Sequence, residues 1–243
     1  MHVVAIVQAR MGSTRFPGKV MEDLLGKPVL TRDINRIRRA KRINEVVIAT
    51  TLKPEDNKIV ALCEKEGWCC FRGSENDLLD RYYQAAQTFD ADAVIRITSD
   101  CPMIDPGIVD KVIGEFLDLG EKVDYVSNTL PPRTFPRGLD VEAMTFRALE
   151  CAWKEDNNPT LREHVTPYIY RNPEMFRLHR VANEADLSHH RWTLDTSEDL
   201  AFVRAVYNHF GNDWFTWTDA LHYLRQHPEI MEINSDIRQK TIE

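Results

Sequence analysis

Residues 3–19 read VVAIVQARMGSTRFPGK. The first five are apolar and mostly β-branched, the run closes on Gln8, and the rest hold two glycines, Ser13, Thr14 and the cations Arg10, Arg15 and Lys19. A short apolar run followed by a polar, glycine-containing loop predicts a buried strand of a parallel sheet that feeds a ligand loop. Open parallel sheets bind ligands outside the carboxyl ends of their strands, so the chemistry is expected in the loop. Backbone donors, hydroxyls and three cations together suit a polyphosphate. Two common phosphate loops do not describe the stretch. Gly12 and Gly18 enclose five residues where a Walker A loop has four, Val20 stands where that loop needs Ser or Thr, and no glycine follows Gly12 at the dinucleotide spacing.

Outward from this stretch, Glu45–Thr51 and residues 91–98 read as further buried strands. Between and after them lie helical faces, carried by Leu30, Ile34 and Ile37, by Ile59, Leu62 and Cys63, and by Leu78, Leu79, Tyr82 and Ala86. Strand and helix alternate, which predicts a layered α/β fold with right-handed crossovers. Pro106–Leu119 continues as a helix. From 123 to 194 the pattern loosens into strand-like pieces at 125–129, 139–144, 176–181 and 191–194, around helices near Phe146–Glu155 and 160–171, with a loop at Pro131, Pro132 and Pro136. Two helices, Ser197–Phe210 and 216–226, close the chain, each opened by Ser or Thr with an acidic residue behind it. The expectation is one α/β domain over 1–243 in which 123–194 is a β-rich elaboration.

Composition narrows the function. At 243 residues and 43% hydrophobic content the chain can bury a substantial core without a disulfide or metal staple. A formal charge of -7 repels polyanions and excludes broad nucleic-acid binding. The basic cluster Arg32, Arg36, Arg38, Arg39, Lys41 and Arg42 reads as a solvated helix face. Cys63, Cys69, Cys70, Cys101 and Cys151 are odd in number and lack C-x-x-C spacing, so a reducing, cytoplasmic compartment is expected. No apolar run approaches the roughly 20 residues of a membrane span. His189-His190 reads as loop polarity, Asp90-Ala91-Asp92 precedes a strand where a metal D-x-D would follow one, and Trp192, Trp214 and Trp217 are expected beneath the C-terminal helices.

The stretch 8–19 resembles the signature of the cytidylyltransferases that activate sugar acids, the CMP-KDO and CMP-sialic acid synthetases, and most closely the group named after spore coat polysaccharide biosynthesis protein F. The resemblance continues through Arg72-Gly73-Ser74-Glu75, Thr98-Ser99-Asp100-Cys101-Pro102, Phe135-Pro136-Arg137-Gly138-Leu139-Asp140, Arg162-Glu163-His164-Val165-Thr166 and Thr193-Leu194-Asp195-Thr196-Ser197-Glu198-Asp199. It implies a Rossmann-like three-layer nucleotidyltransferase fold, a homodimer paired through 123–194, and condensation of CTP with a small anionic acceptor that releases pyrophosphate.

The resemblance also implies roles. Arg15 and Lys19 match the phosphate cations. Asp100 and Asp195 match the carboxylates that hold Mg²⁺, a chemistry suited to hard oxygen ligands with open positions; for Asp195 a helix N-cap is the alternative. The nucleotide is expected on Ala9, Arg10, Met11, Gly12, Ser13, Ser74, Arg81, Thr98 and Ser99, and the acceptor on Arg137, Asp140, Glu142, Arg162 and His164. Thr98-Ser99 replaces the Gln-Gly of the KDO enzymes, which argues against KDO as the acceptor. Other readings compatible with the loop are transfer to a sugar phosphate or phosphonate, a glycosyltransferase, and a nucleotide-binding homologue without catalysis.

Overall fold

β1 (Val3–Gln8) alternates as a doubly covered strand must: Val3, Ala5 and Val7 enter one apolar cluster, Val4 and Ile6 another. In the computed structural model, which describes residues 1–239, it lies inside a seven-stranded sheet. The chain runs from β1 through α1 (Val29–Ile37), β2 (Glu45–Thr51), α2 (Asn57–Glu66), β3 (Cys69–Gly73), α3 (Leu78–Thr88) and β4 (Ala93–Thr98) to α4 (Pro106–Leu119). It continues through β5 (Tyr125–Ser127), β6 (Glu142–Thr145), α5 (Phe146–Glu155), α6 (Pro159–Arg162), α7 (Pro167–Arg171) and β7 (Leu178–Arg180). It closes with α8 (Ser197–Phe210), α9 (Trp217–Gln226) and α10 (Pro228–Glu232). The spatial order is β3-β2-β1-β4-β6-β5-β7, and β6 runs antiparallel to both neighbours in an otherwise parallel sheet. This is the mostly parallel, three-layer α/β fold that the strand and helix alternation predicts.

Helices α1, α2 and α4 cover one face through Leu30, Ile34, Ile59, Val112 and Phe116. Helices α3 and α5 cover the other through Leu79, Tyr82 and Leu149. A third cluster forms where Val203, Val206 and Leu224 of α8 and α9 meet Trp192 and Leu139. Asp105 caps α4 with its Oδ1 on the N–H groups of Gly107 and Ile108, while its Oδ2 accepts the Trp217 N–H, tying the starts of α4 and α9 together.

Several sequence expectations need correction. β3 takes the place that the alternation leaves for a strand between the second and third helices but that no residues marked; it is a five-residue, half-buried strand at the sheet edge, without a clear apolar run. The segment at 160–171 is two short helices. Val165 between them adopts φ +68 and Pro167 cannot donate a helical hydrogen bond. The strand expected at 191–194 is a single bridge between Arg191 and Arg137, and the pieces expected at 125–129, 139–144 and 176–181 shorten to β5, β6 and β7.

The basic cluster divides: Arg38, Lys41 and Arg42 are exposed as expected, but Arg32, Arg36 and Arg39 are turned inward. Arg36 is 0% exposed, its guanidinium donating to the carbonyls of Ile104, Asp213 and Phe215, and Arg32 bonds the Leu24 and Leu25 carbonyls and Asp213. These side chains clamp the 212–216 segment to α1. Trp192 is buried and Trp217 packs against the core, but Trp214 is 74% exposed, with the Arg39 guanidinium 4.5 Å above its ring. Among the described residues no helix is long and apolar enough to cross a membrane.

Candidate active site

The loop after β1 turns back at Gly18, whose φ of +77 lets the chain enter a short 3-10 turn with Lys19 pointing inward. Lys19 is almost wholly buried and its ammonium has three acceptors: Asp100 Oδ2 at 2.8 Å, Asp195 Oδ1 at 2.9 Å and the Leu194 carbonyl at 2.8 Å. Asp100 arrives two residues beyond β4. Asp195 arrives from the other end of the chain, carried by backbone bonds from Leu194 N–H to the Asp100 carbonyl and from Trp192 N–H to the Arg137 carbonyl, both 2.8 Å. The two carboxylates therefore meet at one edge of the sheet, as expected, although by a bridge and not by a strand.

Asp195 does not cap α8. Thr196 does, with Asp199 completing the capping box, and Asp199 also accepts the Asp195 N–H. Asp195 Oδ2 is free to take Arg15 at 2.8 Å and Arg191 at 3.1 Å, and Arg191 extends a second pair of bonds to Asp199. Lys19, Arg15 and Arg191 thus face Asp100, Asp195 and Asp199. Burial opposes the charge on Lys19, but Asp100 and Asp195 outweigh it and hold its pKa above the ordinary value. Burial alone would raise the Asp100 carboxyl; Lys19, with Thr98 and Cys101, draws it down to about 2.

Arg15, Lys19, Asp100 and Asp195 line a cavity of about 810 Å³ across the carboxyl ends of β1 and β4. Ala9, Arg10 and Ser13 of the loop line it with Arg81, Thr98 and Ser99. Arg81 is nearly fully buried, yet its Nε and Nη1 have no hydrogen-bond partner; burial, helped by Arg10, lowers its pKa to about 10. Arg10 likewise makes no hydrogen bond or ion pair with another described residue. An unpaired, buried guanidinium is costly and marks a place prepared for an anion.

Toward β6 the walls are Arg137, Asp140, Glu142 and His164. Asp140 is held by Arg133 in a two-pronged pair at 2.6 and 2.9 Å, and Glu142 by Arg96 and the Tyr125 hydroxyl. The Arg137 guanidinium has no such partner among the described residues. The imidazole of His164 is kept below its ordinary pKa by burial and by Arg96.

Four residues expected at the site are turned elsewhere. Arg162 does not reach the cavity; it donates to Asp77 at 2.8 Å and to the carbonyls of Trp153 and Asp156, stitching α6 to α3 and α5. Ser74 accepts the Asp77 N–H ahead of α3, the Met11 N–H is taken by Asp56, and Gly12 does not line the cavity. Sequence reasoning missed Arg96, Arg133, Arg191, Asp56 and Tyr170. Only Arg96 carried a local signal, a charged residue inside the apolar run of β4.

A parallel α/β sheet with one reversed strand, a basic loop after β1 and two strand-edge carboxylates meeting at a buried lysine define a nucleotidyltransferase of the Rossmann-like kind. The chain belongs to the cytidylyltransferase family, which matches residues 4–235, and its activity is CTP-dependent nucleotidyl transfer. It is 38% identical over 243 residues to an uncharacterized protein of Methanocaldococcus jannaschii, covering 99% of this chain and 98% of that one. It is 32% identical over 216 residues to spore coat polysaccharide biosynthesis protein SpsF of Bacillus subtilis, covering 86% and 88%. The solved structure of a cytidylyltransferase from Leptospira borgpetersenii serovar Hardjo-bovis superposes with a TM-score of 0.92 at 34% identity, over 99% of this chain and all of the other.

Proposed function

We propose that the enzyme condenses CTP with a sugar acid of the ulosonic or nonulosonic kind, giving a CMP-sugar and pyrophosphate for a surface polysaccharide or glycan. The observation that carries this reading is the distribution of cations in the cavity. Arg10 and Arg81 lie unpaired on the β3 side and Arg137 on the β6 side, with the Lys19, Asp100 and Asp195 centre between them. Two anion seats flanking a charged centre suit a triphosphate at one end and an acceptor carboxylate at the other. The spore coat name of one relative supports the polysaccharide setting.

The nucleotide is assigned to Ala9, Arg10, Ser13, Arg81, Thr98 and Ser99, and the acceptor to Arg137, Asp140, Glu142 and His164. The acceptor oxygen forms its bond to the α-phosphorus in line as the bond to the β-phosphate oxygen breaks. Arg15 and Lys19 exchange part of their carboxylate contacts for the phosphates and offset the charge that builds on the leaving pyrophosphate. Asp100 and Asp195 already converge on one cation, the Lys19 ammonium, and among the described residues no third carboxylate, His or Cys completes a metal cluster with them. Two hard oxygens at one point fit Mg²⁺, which leaves its other positions to water and substrate phosphates. When bound, Mg²⁺ supplies charge neutralisation and alignment of the triphosphate with the acceptor hydroxyl.

Residues 123–194 give β5, β6 and β7 to the same sheet as β1–β4, which supports reading the chain as one nucleotidyltransferase domain; the family resemblance adds pairing through this elaboration into a homodimer. Pyrophosphate release with CTP, Mg²⁺ and a panel of sugar acids, sugar phosphates and phosphonates tests the reaction. Turnover confined to the phosphates or phosphonates, or normal turnover by Asp100→Ala, would overturn it. A monomer mass by light scattering would overturn the pairing.

A further inference from the structure

The start of α2, Lys53-Pro54-Glu55-Asp56-Asn57, has the residues of a helix N-terminus: Pro54 opens a 3-10 turn and Asp56 occupies the N-cap of α2. An aspartate there ordinarily accepts N–H groups of the first helical turn. Asp56 makes no such bond. Its carboxylate, only 1% exposed, turns the other way: Oδ1 accepts the Met11 N–H at 2.6 Å and Oδ2 accepts the Thr51 hydroxyl, whose oxygen in turn accepts the Lys53 N–H at 3.1 Å. No Lys or Arg among the described residues forms an ion pair with it. Arg81 lies near enough for its charge to act on Asp56 but makes no contact pair with it; burying a carboxylate without a direct ion partner and forgoing a cap both cost stability, so the position held at Met11 is what the arrangement secures.

Met11 is also the residue on which the loop after β1 closes. The Met11 carbonyl accepts the N–H groups of both Ser13 and Gly18, each at 2.9 Å. One residue, Met11, therefore has its N–H fixed to the start of α2 and its C=O drawing together the two ends of the loop. Release of Asp56 would free both. We propose that Asp56 is a positioning residue that orders residues 9–18 before CTP arrives, with Thr51 as its strut. This rests on the reading of the loop as the triphosphate seat, and it explains why the Met11 N–H is absent from the donors offered to the nucleotide.

The loop contains two exposed tryptic sites, after Arg10 and Arg15, so its order can be read without nucleotide. Limited trypsin digestion, calorimetric CTP titration and thermal unfolding are compared for wild type, Asp56→Ala, Asp56→Asn and Thr51→Val. In Asp56→Ala, cleavage in the loop quickens by about tenfold or more, and the CTP Kd rises by about 10- to 100-fold as ordering is shifted to the binding step. Asp56→Asn, which keeps one acceptor, falls between, and Thr51→Val moves the same way by less. Should Asp56→Ala not fold, the other two variants carry the same readouts. Unchanged cleavage overturns the anchor. Faster cleavage with unchanged CTP affinity leaves the anchor standing and overturns the loop as the triphosphate seat.

Discussion

Replacing Lys19 by Met keeps most of the side-chain volume and removes the one cation among the described residues that pairs with Asp100. Asp195 retains Arg15 and Arg191, so the loss concentrates on Asp100. Its pKa of about 2, against an ordinary 3.8, corresponds to about 2 kcal/mol of preference for the ionised, folded form. Breaking a buried pair outright costs about 3–5 kcal/mol, and the remaining pairs of Asp195 place this variant below that range. Urea unfolding followed by tryptophan fluorescence should therefore show Lys19→Met less stable by about 2 kcal/mol at pH 7, a midpoint shift on the order of 1 M.

The pH dependence fixes the cause. A carboxyl whose folded pKa is depressed contributes stability above its unfolded value and loses it as pH falls through the folded one. Without Lys19, burial raises the Asp100 carboxyl above its ordinary value, so the difference between wild type and variant should narrow as pH falls through that raised pKa and close by about 2. A difference under about 0.5 kcal/mol at pH 7, or an equal difference at pH 3, would refute the assignment and reduce Lys19 to a packed aliphatic stem.

The remaining predictions separate binding from scaffolding. Arg81→Met removes an unpaired buried charge, so the melting temperature should hold or rise while the CTP Kd, measured by titration calorimetry, weakens about 10- to 100-fold. Arg162→Ala should cost about 2 kcal/mol in urea unfolding, while the activity per folded molecule stays at the wild-type value. Gly138 sits at φ +98, where an added Cβ would lie 2.7 Å from the Trp192 carbonyl carbon. Gly138→Ala should lose about 3 kcal/mol or more by thermal unfolding and most CTP turnover, because the 137–138 backbone carries the 191–195 segment to the site.

The parts of this molecule legible from sequence are those whose signal is local. The alternation of Val3–Gln8 and the glycines and cations behind it place a strand and its loop without reference to anything distant. Asp100 could be placed at a strand edge for the same reason. Arg36 could not be read correctly, because a guanidinium at helical spacing looks solvated until its acceptors are known, and the carbonyls it bonds lie 68 to 179 residues away. Arg162 resembled an acceptor ligand through its motif, but its bond to Asp77 spans 85 residues and turns it from the cavity. Asp56 carried no signal for its role, since only the fold brings Met11, 45 residues away, within reach of it.

The lysine that joins Asp100 to Asp195 spans the chain, its partners lying 81 and 176 residues further on. Contacts of such separation form late, since loop closure must precede them. On a ribosome adding about 5–20 residues per second, the 176 residues between Lys19 and Asp195 take roughly 10–35 s to emerge. Asp100 joins the phosphate loop after 81 of those residues, and from then until Asp195 emerges the nascent chain has one carboxylate but not the second. Synthesis itself withholds the paired centre until Asp195 has emerged, so a product that ends before it lacks one of the two carboxylates.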